Sequence, residues 1–310
     1  MGDDLVECLI LLNGDSGTLK KTDLDVFENH ISSEFDRAGH AVSIIRIDDM
    51  GMENALAIAR DSQADMLIAA GGDGTVSALA ELAWKSGRVL GVLPCGTMNL
   101  YANTLKMPSD VFEAVSALVQ GKEESADIAT ANGTPFINQY AVGFHPRAVK
   151  LRNTMNYGSR VGKIWATLKA LLSVMTDPPS LAVEMTVDEK EPQAVEITAL
   201  SISNNVLGTG HELFADHYNG HLLGVYRTPR VKPIEAVKLI LDLIIGSWAG
   251  NEKVLIENAR HLTLQSLKKR PNAKALKDGE LVDLPDIIKF EIHDDALRVF
   301  VPRSDVSGNE

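Results

Sequence analysis

The chain has 310 residues, of which 45% are hydrophobic and 23% charged. That balance belongs to a folded globular protein and excludes a disordered chain, a collagen-like repeat and a disulfide scaffold. Thirty Lys and Arg stand against 42 Asp and Glu, a net charge of −12, so nothing diffuse draws the chain to nucleic acid or to an anionic membrane, and any such contact is local.

The first third alternates continuous apolar runs with segments of helical period. Leu5–Leu12 reads as a strand covered on both faces, and Leu24, Phe27, Ile31 and Phe35 share one helical face. Strands are expected at Ala41–Ile47, Met66–Ala70 and Val89–Leu93. Helices are expected near Glu53–Arg60, Val76–Trp84, Thr97–Leu105 and Ser109–Gln120. Strands alternating with helices imply parallel pairing through right-handed crossovers, hence a doubly wound α/β domain over residues 1–127.

After Asp127 the pattern changes. Asn132-Gly133 is a hairpin-type turn, and strand-like runs follow at Leu181–Val187, Ala194–Ser203, Leu222–Tyr226, Val254–Asn258, His261–Leu267, Ile287–Ile292 and Leu297–Val301. Helical stretches near Val161–Met175 and Ile234–Ile245 interrupt them. The expectation is an antiparallel β-sandwich or barrel over 128–302, with 303–310 as a tail. The stripe Val237, Ile240, Leu241, Ile244 with Trp248 fits a helix packed on the sheet better than one resting on a membrane.

Two cysteines, Cys8 and Cys95, cannot form a framework and point to a reducing compartment. The acidic start does not read as a secretory signal, and Val6 spoils a myristoylation match. Ala236–Gly250, the longest apolar stretch, is broken by Lys238 and Asp242 and is too short to span a bilayer. A cytoplasmic protein without a transmembrane segment is expected.

Chemistry begins where the third strand ends. Gly71-Gly72-Asp73-Gly74-Thr75 opens a helix, where glycines let main-chain N–H groups approach a phosphate and the helix start adds favourable partial charge. Asp73 is placed to hold a magnesium ion, and Thr75 to cap the helix or touch phosphate. Taken alone, the run is equally a plain glycine turn with an ordinary cap. A second loop, Leu93-Pro94-Cys95-Gly96-Thr97-Met98-Asn99, follows the next strand, with Thr97 one helix and one strand beyond Thr75. The first strand ends in Asn13-Gly14-Asp15-Ser16-Gly17. Three loops at the carboxyl ends of neighbouring parallel strands describe a nucleotide phosphate crevice. No Gly-x-Gly-x-x-Gly follows the first strand, and Gly158–Lys163 has the wrong spacing for a P-loop, so main-chain donors and a metal must meet the phosphate charge. Histidine and cysteine spacing offers no zinc site, and no Gly-x-Ser-x-Gly marks a hydrolase.

Gly71–Thr75 and Leu93–Asn99 together resemble the catalytic domain of the diacylglycerol kinase family, shared by diacylglycerol, sphingosine and bacterial lipid kinases. The likeness continues at Asn138–Phe144, Ser203-Asn204 and Asp278-Gly279-Glu280. The resemblance implies a nucleotide-binding α/β domain, a β-rich domain, and ATP with Mg²⁺ as cofactors. By position, Asn13, Gly71, Gly72, Asp73, Gly74, Thr75, Gly96, Thr97 and Asn99 would bind the nucleotide. Asp278 and Glu280 would be the acidic catalytic pair, with Glu280 as general base, although two acids around a glycine equally suit an exposed turn.

The implied partner is a lipid substrate at a membrane surface, met through transient association. A homodimer is left open and nucleic acid is not expected. The sequence departs from the family in three places. Leu100 stands where an Asp often follows the second loop. Asn219-Gly220, flanked by Asp216 and His221, replaces an Asp-Gly turn beside a structural magnesium, so that site is expected to be weak or absent. Asp48 or Asp49 takes the place of a threonine. These departures keep alive a non-catalytic nucleotide- or lipid-binding regulator, and a kinase for a soluble, NAD-like substrate is the other alternative.

Overall fold

The computed structural model describes residues 6–144, 146, 180–208, 213–244, 247–268 and 271–303. The expected helix at Val161–Met175 and the run Gly158–Lys163 lie outside them. The chain divides into two compact units, one formed by Met1–Ile128, Asp216–Asn219 and Asp294–Glu310, the other by Ala129–Ala215 and Gly220–His293.

The first unit is built on four parallel strands in the order β2 (Ala41–Arg46), β1 (Glu7–Leu12), β3 (Met66–Gly71), β4 (Val89–Pro94). All six residues of β3 and of β4 are buried, as central strands flanked by helices require. The helices are α1 (Leu24–Arg37), α2 (Ile47–Met50), α3 (Met52–Asp61), α4 (Asp73–Ser86), α5 (Leu100–Thr104) and α6 (Val111–Val119). Asp23 caps α1 and Asp110 caps α6, each carboxylate accepting two main-chain N–H groups. Phe27, Ile31 and Phe35 form the buried stripe of α1, and Phe27 meets Phe112 of α6 edge to face at 5.4 Å. Gly87, left-handed at φ 67°, ends α4.

In the second unit the strands pair antiparallel. Ala129–Ala131 of β5 (Lys122–Ala131) pairs with β6 (Thr134–Phe136) across Asn132-Gly133, both with positive φ. β7 (Gln139–Gly143), β8 (Leu181–Val187), β9 (Gln193–Ser203), β10 (Leu223–Pro229), β11 (Leu255–Ala259), β12 (His261–Ser266), β13 (Lys274–Lys277) and β14 (Glu280–Asp283) follow. β9 is the hub, pairing β8 with its first half and β7 and β10 with its second. α7 (Pro233–Ile244) is the helix expected near Ile234–Ile245. β8 alternates buried and half-buried residues, the period-two pattern legible in its sequence. Phe136, Tyr140 and Phe290 pack edge to face or tilted at the centre of this core.

Two features differ from expectation. The runs Ile287–Ile292 and Leu297–Val301 belong to one strand, β15 (Ile287–Val301), because the polar stretch between them turns through Asp295, at φ 49°, whose N–H donates to Asp127 Oδ1 at 2.9 Å. Short strands β6, β7, β13 and β14 were too brief to stand out from loops by periodicity. Phe290→Ala should lower stability by about 3–5 kcal/mol, read as a shift in the urea midpoint of the second unit.

Candidate functional site

The three loops of the first unit are tied to one another by their own main chain. Asn13 N–H donates to the Ala70 carbonyl at 2.9 Å, Thr18 N–H to the Cys95 carbonyl at 2.9 Å, and Cys95 N–H to the Gly71 carbonyl at 3.1 Å. Side chains add two links: Asn13 Nδ2 donates to Thr75 Oγ1 at 3.2 Å, and Thr18 Oγ1 to the Gly96 carbonyl at 3.2 Å. The glycines fix how near these loops come. A Cβ on Gly96 would lie 2.5 Å from Gly72 Cα, and one on Gly17 would lie 2.6 Å from Thr97 Oγ1.

Gly72, the N-cap of α4, has no side chain with which to cap the helix. An anion placed there meets aligned amides and the positive end of a fourteen-residue helix. Gly72, Asp73 and Gly74 are half-buried, Thr75 is buried and Thr97 is exposed. Asn99 shapes the second loop from within: its Oδ1 accepts the Gly96 N–H at 2.8 Å, and its Nδ2 donates to the carbonyls of Pro94 and Gly96 at 3.3 Å each. Asp73 Oδ1 accepts the Leu100 N–H at 2.7 Å, so α4 supplies α5 with the side-chain acceptor that its N-cap, Asn99, does not. A half-buried carboxylate at the lip of an amide cradle fits a magnesium ion held jointly with substrate phosphates. Asp48 Oδ1, at the end of β2, accepts the Gly14 N–H at 2.9 Å and takes one loop amide out of use.

The second unit gathers the remaining segments that carried the resemblance. Asp278-Gly279 is a two-residue turn joining β13 to β14, with φ of 45° and 89°, the left-handed pair that suits a tight hairpin. The Asp278 carboxylate is only 7% exposed and accepts the N–H groups of Ile137, Asn138 and Gln139 at 2.9–3.0 Å. Asn204 N–H donates to the Asn138 carbonyl at 2.9 Å. Three stretches remote in sequence, 137–139, 203–204 and 278–280, therefore meet at one carboxylate and its neighbours. Asp278 anchors the turn; Glu280, two residues on, is exposed.

Beside that turn lies an apolar cavity of about 100 Å³, lined by Gln139, Phe144, Ala199, Tyr226, Leu239, Trp248 and their neighbours. Its polar groups are spent internally: Gln139 Nε2 donates to the Leu213 carbonyl, Ser201 Oγ to Gln139 Oε1, and Val231 N–H to Thr198 Oγ1. Ala236 of α7 and Trp248 are buried, so the described part of the stripe packs inward; the side chains of Val237, Ile240, Leu241 and Ile244 lie outside the described residues.

The residues suggested for a second cation are less favourable. Asp216 and Asn219, in the first unit, are exposed. His221, in the second, is half-buried with φ 59°, and its carbonyl accepts from Arg260.

Sequence reasoning gave Gln139 and Thr18 no role. The Asp-Gly pair at 278–279, between two short runs that each carry two apolar residues, was the available signal for the hairpin. Burial pushes the Cys95 thiol up to about 12, so it stays a neutral thiol, and iodoacetamide at neutral pH should label it only after unfolding. Asp278→Ala strands three inward-facing amides and should lower stability by roughly 3 kcal/mol in urea denaturation. Gly96→Ala should weaken binding of an ATP analogue in calorimetry, by forcing the two loops apart.

Residues 7–131 match the family model of the diacylglycerol kinase catalytic domain. An uncharacterised protein of Synechocystis is 24% identical over 293 residues, covering 90% of this chain and 66% of that protein. A diacylglycerol kinase of Staphylococcus epidermidis is 35% identical over 117 residues, 36% of each chain. The chain thus spans 66% and 36% of the length of these two relatives. The crystal structure of a diacylglycerol kinase from Bacillus anthracis superposes with a TM-score of 0.69 at 15% identity, covering 97% of this chain and 98% of that one, which is agreement in fold. Residues 7–131 are thus similar in sequence to the diacylglycerol kinase catalytic domain.

Proposed function

We propose that the chain transfers the terminal phosphoryl group of ATP to a hydroxyl of a diacylglycerol-like or sphingoid lipid. One observation carries the lipid part of this reading. Gln139, in the wall of the apolar cavity, donates its N–H to Asp278, in the turn that bears Glu280. A hydrocarbon chain in that cavity would bring its polar end toward an exposed carboxylate. The family likeness of residues 7–131 supports the kinase part.

The roles follow from the groups available. The amides at the start of α4 and the glycine loops hold the triphosphate without a lysine. Asp73 would hold a magnesium ion against the phosphate oxygens, and that ion supplies neutralisation of the transferring phosphoryl group. Glu280 accepts the proton of the lipid hydroxyl as its oxygen bonds to the terminal phosphorus and the bond to the leaving ADP breaks. Asp278 is a positioning residue that fixes the turn presenting Glu280. Asp216 and Asn219 offer one carboxylate and one amide oxygen, a weaker set for a second cation, and His221 offers a ring nitrogen. No helix among the described residues is long and apolar enough to cross a membrane.

Incubation with labelled ATP, magnesium and diacylglycerol or sphingosine in detergent should place label in the lipid phase, and Glu280→Gln should lower kcat by roughly 100- to 10,000-fold while leaving nucleotide affinity unchanged. Label in no lipid, with folded protein, overturns the reading. Asp48, which occupies the Gly14 amide, favours a second reading, a regulator that binds nucleotide without turnover. That reading predicts calorimetric binding of ATP with no labelled product.

A further inference from the structure

The apolar cavity of the second unit opens beside a surface that nothing in the phosphoryl-transfer chemistry requires. α7 forms one wall: Ala236 and Leu239, three residues apart, line the cavity. Ile234 is 73% exposed in the first turn of the same helix, and Lys238, one turn further along the same face, is also exposed. β11 forms the neighbouring edge. Among the described residues it pairs only with β10, and Ile256 sits opposite Tyr226, a cavity residue, so both project from one face of the sheet. Ile256 is 46% exposed. Lys253 and Glu235 approach within 3.1 Å, which joins the first turn of α7 to the residue preceding Val254 in the cavity wall. Ile234 and Ile256 therefore belong to one rim.

The charges around this rim are sorted. Glu235 is occupied by Lys253 and by the Lys232 N–H, and Asp242 accepts from Asn251 Nδ2. Lys232 and Lys238 are exposed. Lys232 helps to hold the Glu235 carboxyl below its usual range, and neither lysine forms a salt bridge among the described residues. Two exposed lysines thus flank an exposed isoleucine on a chain whose net charge is −12. The whole-molecule field repels an anionic surface, so attraction has to come from such a local arrangement. Exposed apolar side chains on an edge strand are an association hazard unless a partner covers them.

We infer that this rim, Ile234 and Ile256 with Lys232 and Lys238, is the membrane-docking surface of the protein, and that its partner is an anionic phospholipid bilayer. The isoleucines enter the acyl boundary while the lysine stems lie along it and their ammonium groups reach lipid phosphates. Docked this way, the cavity mouth faces the layer from which a lipid chain would be drawn. The inference rests on the lipid-kinase reading for its purpose, but its measurement does not depend on turnover.

Co-sedimentation of the full chain with vesicles tests it, using phosphatidylcholine alone and phosphatidylcholine mixed with phosphatidylglycerol. The wild type should sediment with the mixed vesicles and lose that binding as salt is raised. Lys232→Gln with Lys238→Gln should lower partition roughly thirtyfold, and Ile234→Asp with Ile256→Asp should abolish it. Leu255→Asp is the control: Leu255 is 41% exposed on the same edge strand but projects from the opposite face, and its replacement should leave binding intact. The rim variants should still phosphorylate a short-chain lipid dispersed in detergent at the wild-type rate. Equal loss in Leu255→Asp, no loss in the rim variants, or a rim that mediates self-association in sedimentation without affecting vesicle binding would each overturn the inference. Absence of phosphorylation by the wild type in detergent would instead defeat the kinase reading alone.

Discussion

The distance between two α-carbons governs the first unit. Gly72 and Gly96 close on one another so tightly that a methyl group on Gly96 would lie 2.5 Å from Gly72 Cα, although one on Gly72 would make ordinary contact at 3.5 Å. The contact brings the loops after β3 and β4 together and lets the amides of one serve the carbonyls of the other, as between Cys95 and Gly71. It also sets a glycine at the N-cap of α4, where no side chain of that residue can cap the helix. An anion site results from a steric restriction, with no cationic residue in the loops themselves. The nearest lysine of the first loop, Lys20, approaches Asp15 at 3.4 Å with both side chains largely exposed, a contact that contributes little.

What could be read in advance follows from this physics. β3 and β4 are legible because buried parallel strands are continuous apolar runs, and α1 because Phe27, Ile31 and Phe35 repeat at helical spacing. The glycine loops are legible because their residue types have few other uses at a strand-to-helix junction. Glu280 is legible only through a resemblance, since no periodicity links it to an ATP loop far earlier in the chain. The continuity of β15 through Asp295 is hidden, because a left-handed aspartate inside a strand is held by a remote carboxylate, Asp127. The cavity is hidden as well. It is assembled from β7, β9, β10 and α7, whose apolar residues look like ordinary core until one sees that they do not fill the space between them.

Asp278 shows how one acid of a motif can serve geometry alone. A carboxylate that accepts three buried main-chain donors has little acceptor capacity left, and moving it would strand those donors. Its chemistry is spent on geometry. The left-handed turn it stabilises, with Gly279 beside it, sets the direction in which the chain delivers Glu280. The two acids, alike in sequence, are therefore divided by burial: the enclosed one holds the backbone and the exposed one is available to a substrate.

On the proposed reading, the same division of labour would let a chain with net charge −12 handle two anionic partners. Phosphate would be met by amide dipoles, which carry no net charge and are unaffected by the overall acidity. The proposed membrane contact would use two exposed lysines, with Glu235 bridged to Lys253 and Asp242 to Asn251. In both cases the acidity of the whole acts as a filter. It discourages diffuse binding to polyanions, and it leaves binding to the places where the local geometry of donors outweighs the long-range field. A more basic chain would bind membranes more readily, but it would do so through many faces. Only one face brings the mouth of the apolar cavity toward the bilayer.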